Sequence, residues 1–199
     1  MFRELKRGDI LRAEIPFGDF TLRDSDKPIL FVAGSTGFAP IQSIIEDMTA
    51  RGIQYAVLTS STVLQGTSWA DAELDLSLCG LCNDQLSAWA RAYPERLVGS
   101  MVLPLQDVSK SLRELERAHQ DLGMKVVNAS SSYHGVYLGD PRFQPFWEEV
   151  AARQLTVWIH PEGVQDPWFQ SFGLWNSLGQ SIEETKCMAS LIYNGVMAR

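Results

Sequence analysis

The chain has 199 residues, of which 45% are apolar and 21% charged, with a formal net charge of −7. That length supports one good core or two small ones, and the balance is that of a soluble globular protein. An acidic chain without a Lys/Arg cluster excludes nucleic acid and anionic membranes as expected partners, and no apolar run is long enough to span a bilayer. The basic residues near the N-terminus, Arg3, Lys6 and Arg7, are followed by no apolar stretch. No signal peptide is therefore expected, and the expected compartment is the cytoplasm. Cys79, Cys82 and Cys187 are too few, and odd in number, for a disulfide framework. Cys79 and Cys82 form a CxxC inside a helical pattern with no second pair, which reads as core packing.

The first 27 residues are turn-rich, with short extended pieces at 10–15 and 20–22 joined by a turn at Pro16-Phe-Gly-Asp19. Short β-branched runs then alternate with helical patterns. Ile29-Leu-Phe-Val-Ala33 is a continuous apolar run, as a fully buried parallel strand requires. Ile41, Ile44, Ile45 and Met48 follow at helical spacing, and Gly52 stops that helix. Residues 55–59 predict a second strand; Cys82, Leu86, Trp89 and Tyr93 predict a helix ending before Pro94. Residues 97–103 predict a third strand. Asp107 can cap a helix whose stripe is Val108, Leu112, Leu115 and Leu122. Residues 124–129 predict a fourth strand, and Phe143, Phe146, Trp147 and Val150 the next helical stripe. Residues 155–159 predict a fifth strand running into His160-Pro161, and Ile182, Thr185, Ala189 and Ile192 mark a last helix. Strands alternating with helices predict a parallel α/β sheet with right-handed crossovers.

Residues 3–47 resemble the ferredoxin-reductase type of flavin/NAD(P)H oxidoreductase. The matching pieces are Leu5-Lys-Arg-Gly-Asp9, Ile15-Pro-Phe-Gly-Asp-Phe-Thr-Leu22 and Leu30-Phe-Val-Ala-Gly-Ser-Thr-Gly-Phe-Ala-Pro40. The resemblance implies Gly34, Thr36 and Gly37 as contacts to a FAD or NAD(P)H pyrophosphate, at a tight turn leading into a helix. Residues 34–37 alone form neither a Rossmann fingerprint nor a Walker loop, and the Arg-x-Tyr-Ser flavin motif is absent. The simpler reading of Gly34 and Gly37 is a strand-to-helix turn, with neither FAD nor NAD(P)H bound.

Residues 46–199 are similar to the amidohydrolase family that includes aminocarboxymuconate-semialdehyde decarboxylase. The linked signatures are Met48-Thr-Ala-Arg-Gly-Ile53, Asn83-Asp-Gln-Leu86, Tyr93-Pro-Glu-Arg-Leu-Val-Gly99, Leu103-Pro-Leu-Gln-Asp107, Leu112-Arg-Glu-Leu-Glu116, Asp140-Pro-Arg-Phe-Gln-Pro-Phe-Trp147 and Trp158-Ile-His-Pro161. The resemblance implies zinc or another divalent metal at the C-terminal mouth of a barrel, with His160, at the end of strand five, as a metal ligand. The family's His-x-His pair has no counterpart, since the other histidines are His119 and His134. His119 falls on its helix's apolar stripe and is expected to be packed and hydrogen-bonded. His134 falls in the loop after strand four, where a surface position or a substrate-side role is open. The aromatic stretch Trp168, Phe169, Phe172 and Trp175 is expected in the core or at an interface.

Together these readings predict an incomplete TIM-like (β/α) barrel. It has about five sequential parallel strands with outer helices, preceded by a short β segment. The expected units are residues 1–47, reductase-like, and 48–199, a partial amidohydrolase barrel. A closed barrel typically takes about 250 residues, so an open sheet with exposed edges, prone to homo-oligomerisation, is expected. The implied function is a metal-dependent hydrolase or decarboxylase of a small carboxylated or aromatic acid. The alternatives are a flavin/NAD(P)H oxidoreductase module and a non-catalytic remnant of a gene fusion.

Overall fold

The structure is a computed structural model that describes residues 32–33, 55–60, 66–67, 69–164 and 166–198, with side chains from residue 55 onward. The nicotinamide-type turn at Gly34, Thr36 and Gly37, and the short β segment before it, lie outside the described residues.

Five strands form one parallel sheet in sequential order: β1 (Val32–Ala33), β2 (Ala56–Leu58), β3 (Leu97–Met101), β4 (Val126–Ser130) and, after a hairpin, β7 (Thr156–His160). All four pairings are parallel. This is the curled sheet of an incomplete TIM-like barrel. The predicted strands at 55–59, 97–103, 124–129 and 155–159 all form. Between β4 and β7 the small hairpin β5 (Ser132–Tyr133) and β6 (Val136–Tyr137) was not anticipated.

Helices cover the outer face. α1 spans Ala72–Ala92, ten residues more at its start than its apolar stripe suggests. Its start is set by Asp71, whose carboxylate accepts from the Glu73 and Leu74 N–H groups at 3.0 and 2.9 Å. It stops because Pro94 forces Tyr93 out of helical geometry, at φ −136° and ψ 60°. α2 (Val108–Gln120) is capped by Asp107, as expected, through the Lys110 N–H at 3.0 Å. α3 spans Gln144–Ala152 and α4 spans Gln180–Tyr193.

The core lies between sheet and helices. Leu58, Met101, Val127 and Ala129 from the strands meet Leu115 of α2 and Phe146 of α3. Burying a side chain such as Phe146 contributes about 1.5–3 kcal/mol. Two close approaches need glycine. A Cβ on Gly99 would lie 3.1 Å from the Leu86 carbonyl oxygen of α1, and one on Gly139 would run into the Ser190 backbone of α4.

Two predicted stripes are displaced. On α1 the buried positions are Asp75, Cys79, Asn83, Leu86 and Ser87, while Trp89 and Tyr93 are exposed. On α4 the inward residues are Glu183, Cys187 and Leu191, whereas Thr185 and Ile192 face outward. Glu183 can point inward because it accepts from the Tyr137 hydroxyl at 2.7 Å and from Lys186 Nζ at 2.8 Å. The aromatic stretch is not core: Trp168, Phe172 and Trp175 are all exposed. Among the described residues no helix is long and apolar enough to cross a membrane.

Candidate functional site at the carboxyl ends of the strands

A parallel sheet brings all its strand carboxyl ends to one side. There the segments that follow β3, β4 and β7 converge, with Gly66 against Glu162. Alternation along the strands decides which side chains reach that opening. Val127 and Ala129 belong to the outer core, and Val157 and Ile159 pack against it. Their register partners alternate with Asn128↔Trp158 and Ser130↔His160. Asn128, Ser130, Trp158 and His160 therefore share the opposite, inner face.

His160 sits where the sequence places it, as the last residue of the fifth sheet strand, and is half-buried. Its Nδ1 lies 2.8 Å from the Pro161 carbonyl oxygen. A carbonyl only accepts, so Nδ1 carries the proton and Nε2 is left with its lone pair. That is the arrangement that orients an imidazole for a metal or for an acidic hydrogen. Two neighbours on the inner face are buried with unsatisfied polar atoms: Asn128 Nδ2 and Ser130 Oγ have no hydrogen-bond partner among the described residues.

The following loops knit this end together. Ser131 N–H donates to the His160 carbonyl at 2.8 Å, and Ser131 Oγ accepts from the Glu162 N–H at 3.2 Å. The Ser132 hydroxyl donates to Glu162 Oε2 at 3.3 Å. Gly66 lies against Glu162, since a Cβ there would fall 3.0 Å from the Glu162 side chain. Tyr133 is buried beneath, its hydroxyl accepting from the Ser130 N–H at 3.1 Å, and burial pushes its pKa up. A second chain of contacts runs from the β3 loop. Gln106 Nε2 reaches Asp75 Oδ2 at 2.7 Å, and Gln106 Oε1 lies 2.9 Å from His134 Nε2.

The other sequence candidates are placed as follows. His119 packs on α2 with Nδ1 3.1 Å from the Met124 carbonyl oxygen, remote from the strand carboxyl ends. His134 is exposed at the tip of the β5–β6 hairpin, on the mouth side. Cys79 is buried and Cys82 half-buried, as core packing requires. Burial pushes the Cys82 thiol up to about 11 and Cys79 higher still, so neither is a ready nucleophile. Beyond those candidates, Asp166, which follows His160 in the loop after β7, is exposed and caps the turn at Trp168. Sequence reasoning missed Asp75, Gln106, Asn128 and Ser130. The alternating polar residues in Val-Val-Asn-Ala-Ser, 126–130, are the signal that could have found the last two.

A tight divalent site normally takes three or four protein ligands. His160 suits one such position by its tautomer and burial. Among the described residues, however, no group of three or more His, Cys, Asp or Glu side chains could hold an ion. The described residues thus offer one fitting donor and not a complete set.

A curled parallel sheet in sequential order, wrapped by helices, defines the class: an incomplete (β/α) barrel, a fold whose sites lie at the carboxyl ends of the strands. A family model described as Amidohydrolase matches residues 37–199, and the chain belongs to the amidohydrolase family. It is 29% identical over 156 residues to 2-amino-3-carboxymuconate-6-semialdehyde decarboxylase of Dictyostelium discoideum, covering 78% of this chain and 43% of that protein. Among solved structures, 5-carboxyvanillate decarboxylase from Sphingomonas paucimobilis matches with a TM-score of 0.71 and 26% identity, over 79% of this chain and 48% of that one. The manganese complex of 5-carboxyvanillate decarboxylase from Novosphingobium aromaticivorans matches with a TM-score of 0.66 and 28% identity, over 75% and 44%. The chain spans about half the length of these proteins. Short N-terminal matches also exist to reductases, such as reductase component 1 of terephthalate 1,2-dioxygenase from Comamonas, 47% identical over 53 residues and 16% of that protein's length.

Proposed function

We propose that this chain carries the ligand-binding half of an amidohydrolase-type decarboxylase or hydrolase, acting on a small aromatic or otherwise carboxylated acid. The observation that carries the reading is the inner face of β4 and β7. There His160, with Nε2 as its acceptor, stands in register beside Ser130, and the buried Asn128 Nδ2 lies two residues back along β4. Buried donors without partners suit a carboxylate or phenolate, because an anion satisfies several donors at once. The relatives named above are decarboxylases of carboxymuconate-semialdehyde and carboxyvanillate, which supports the substrate class. When bound, a divalent ion such as zinc or manganese would polarise a substrate oxygen, with His160 as one of its ligands. The residues of this chain bind and orient the acid: Ser130 and Asn128 donate to it, and the Trp158 ring lies on the same face to pack against an aromatic ring.

The test is carbon dioxide release from 5-carboxyvanillate and 2,6-dihydroxybenzoate by the purified chain, with and without added manganese or zinc. Metal-dependent release that disappears in His160→Ala supports the reading. The absence of both release and binding, for either acid, would overturn it in favour of a non-catalytic remnant. The N-terminal reductase match favours a second reading, in which Gly34, Thr36 and Gly37 approach a flavin or nicotinamide pyrophosphate. A yellow chromophore that copurifies with the chain is its signature.

A further inference from the structure

The last helix carries an apolar stripe that the core does not use. Along α4, Ile182, Thr185, Ala189 and Ile192 recur at spacings of three and four, which place them on one seam of a helix. The core takes a different face of α4, through Glu183, Cys187 and Leu191. The seam therefore looks outward. Thr185, Ala189 and Ile192 line a shallow groove of about 470 Å³ together with Glu184, Met188 and Tyr193. Its large side chains are open to solvent: Met188 is 51% exposed, Ile192 54% and Tyr193 88%. Leu178 before the groove and Met197 after it are exposed as well, so apolar surface continues beyond both ends.

The groove is complementary to itself. It offers two large apolar side chains, Met188 and Ile192, and two small ones, Thr185 and Ala189. Consider a second α4 laid antiparallel about an axis between Met188 and Ala189. Ile192 of one copy then lies on Thr185 of the other, Met188 on Ala189 and Tyr193 on Glu184. Each large side chain enters the space over a small one, as ridges enter grooves. The charge pattern selects the same direction. Glu184 is the carboxylate of the groove. In a parallel pairing it would face its own copy, and two acidic chains of net charge −7 would meet at like charges. In the antiparallel pairing it meets the hydroxyl of the partner's Tyr193, a hydrogen-bond donor.

We propose that the outward groove of α4 docks a second copy of this chain, with the two helices antiparallel about a two-fold axis. Such a pairing is isologous, because each copy gives and receives the same contacts. It puts self-association on the helix layer rather than on the open sheet edge that the sequence suggested. It also forms whether or not the mouth takes an acid. One helix seam is smaller than the roughly 800 Å² per partner of a standard interface, so the expected dissociation constant is micromolar.

Two measurements on the full chain test the dimer and its direction. Sedimentation velocity from about 1 to about 100 μM reads association, and a monomer–dimer equilibrium within that range is expected. Ile192→Glu and Ala189→Glu each bring a carboxylate from both copies into the seam, and each is expected to stay monomeric throughout. Ile192 is more than half exposed, so its variant keeps the fold and decides the matter if Ala189→Glu does not. A native chain that stays monomeric, or an assembly that Ile192→Glu retains, overturns the proposal. Oxidative cross-linking reads direction. An equal mixture of Thr185→Cys and Ile192→Cys chains is expected to give a covalent dimer of unlike copies, which the native chain and either variant alone do not form. Thr185→Cys chains that join to themselves, or a mixture that joins no unlike copies, overturn the antiparallel arrangement.

Discussion

The seam between α1 and α2 and the inner face of the sheet both bury polar side chains, and they treat them in opposite ways. On the seam every group is matched. Asn83 donates to the Val102 carbonyl at 2.9 Å and to Glu114 Oε1 at 2.7 Å, and accepts from the Val102 N–H at 2.8 Å. Glu114, almost fully buried, takes two further bonds from Arg117 Nε and Nη2; Arg117 Nη1 reaches Asp84, and Nη2 also reaches the Gly80 carbonyl. On the inner face, Asn128 Nδ2 and Ser130 Oγ are buried without a partner among the described residues. Saturated networks hold helices to strands. Unsaturated ones stand ready for something that arrives. On the proposed function, the difference separates the part of the molecule that carries stability from the part that takes the acid.

The largest test of that division is Glu114→Ala. It leaves Asn83 short of an acceptor and the Arg117 guanidinium without its main partner. Removing one member of a buried pair costs about 3–5 kcal/mol. Arg117 is about one third exposed, and water recovers part of that, so the expected loss is about 2–3 kcal/mol. A lower urea midpoint with an unchanged m-value is the expected record. A midpoint within error of the native chain would show that the seam does not carry the helix layer.

A smaller effect is expected at the start of α2. Asp107→Ala removes the cap to the Lys110 N–H and should cost about 1 kcal/mol. The backbone N–H of Lys110, followed by its ammonium, holds the Asp107 carboxyl below the usual carboxylate range. A lowered folded-state pKa means that the contribution is present above the unfolded value of about 4 and is lost as pH falls through the lower folded value. Thermal melts of native and variant chains should therefore differ at pH 7 and converge in acid. A difference that persists unchanged well below pH 3 would mean that packing rather than the cap is responsible.

What the sequence made legible follows the same division. The sheet was readable because short runs rich in apolar and β-branched residues alternate along the chain with helical patterns, as the strands of a parallel α/β sheet do. Asp107 was readable because a cap is a local event. The buried Asp75, Asn83, Glu114 and Glu183 were not, because an apolar stripe shows only apolar residues. Each of these polar groups turns inward through a partner distant in sequence: Gln106 for Asp75, Val102 for Asn83, Asn83 for Glu114, and Tyr137, across 46 residues, for Glu183. That is why the stripes of α1 and α4 were displaced. His160 was readable only through family resemblance, since a lone histidine before a proline carries no signal. The line from Asp75 to His134 joins residues on α1, the β3 loop and a hairpin, and no spacing along the chain could announce it.

The smallest expected stability effect is the sharpest statement of the comparison. Ser130→Ala removes a buried hydroxyl that has no hydrogen-bond partner among the described residues. Deleting a bonded hydroxyl costs about 1 kcal/mol, whereas deleting an unsatisfied one relieves a desolvation penalty and leaves stability unchanged or slightly higher. The expected urea midpoint is therefore at or just above that of the native chain, while affinity for 2,6-dihydroxybenzoate falls. On the proposed function the two readouts move apart, because the same hydroxyl is idle in folding and donates to the acid. If Ser130→Ala instead lost as much stability as a seam variant, Ser130 would belong to the scaffold, and the inner face would hold one donor fewer for an acid.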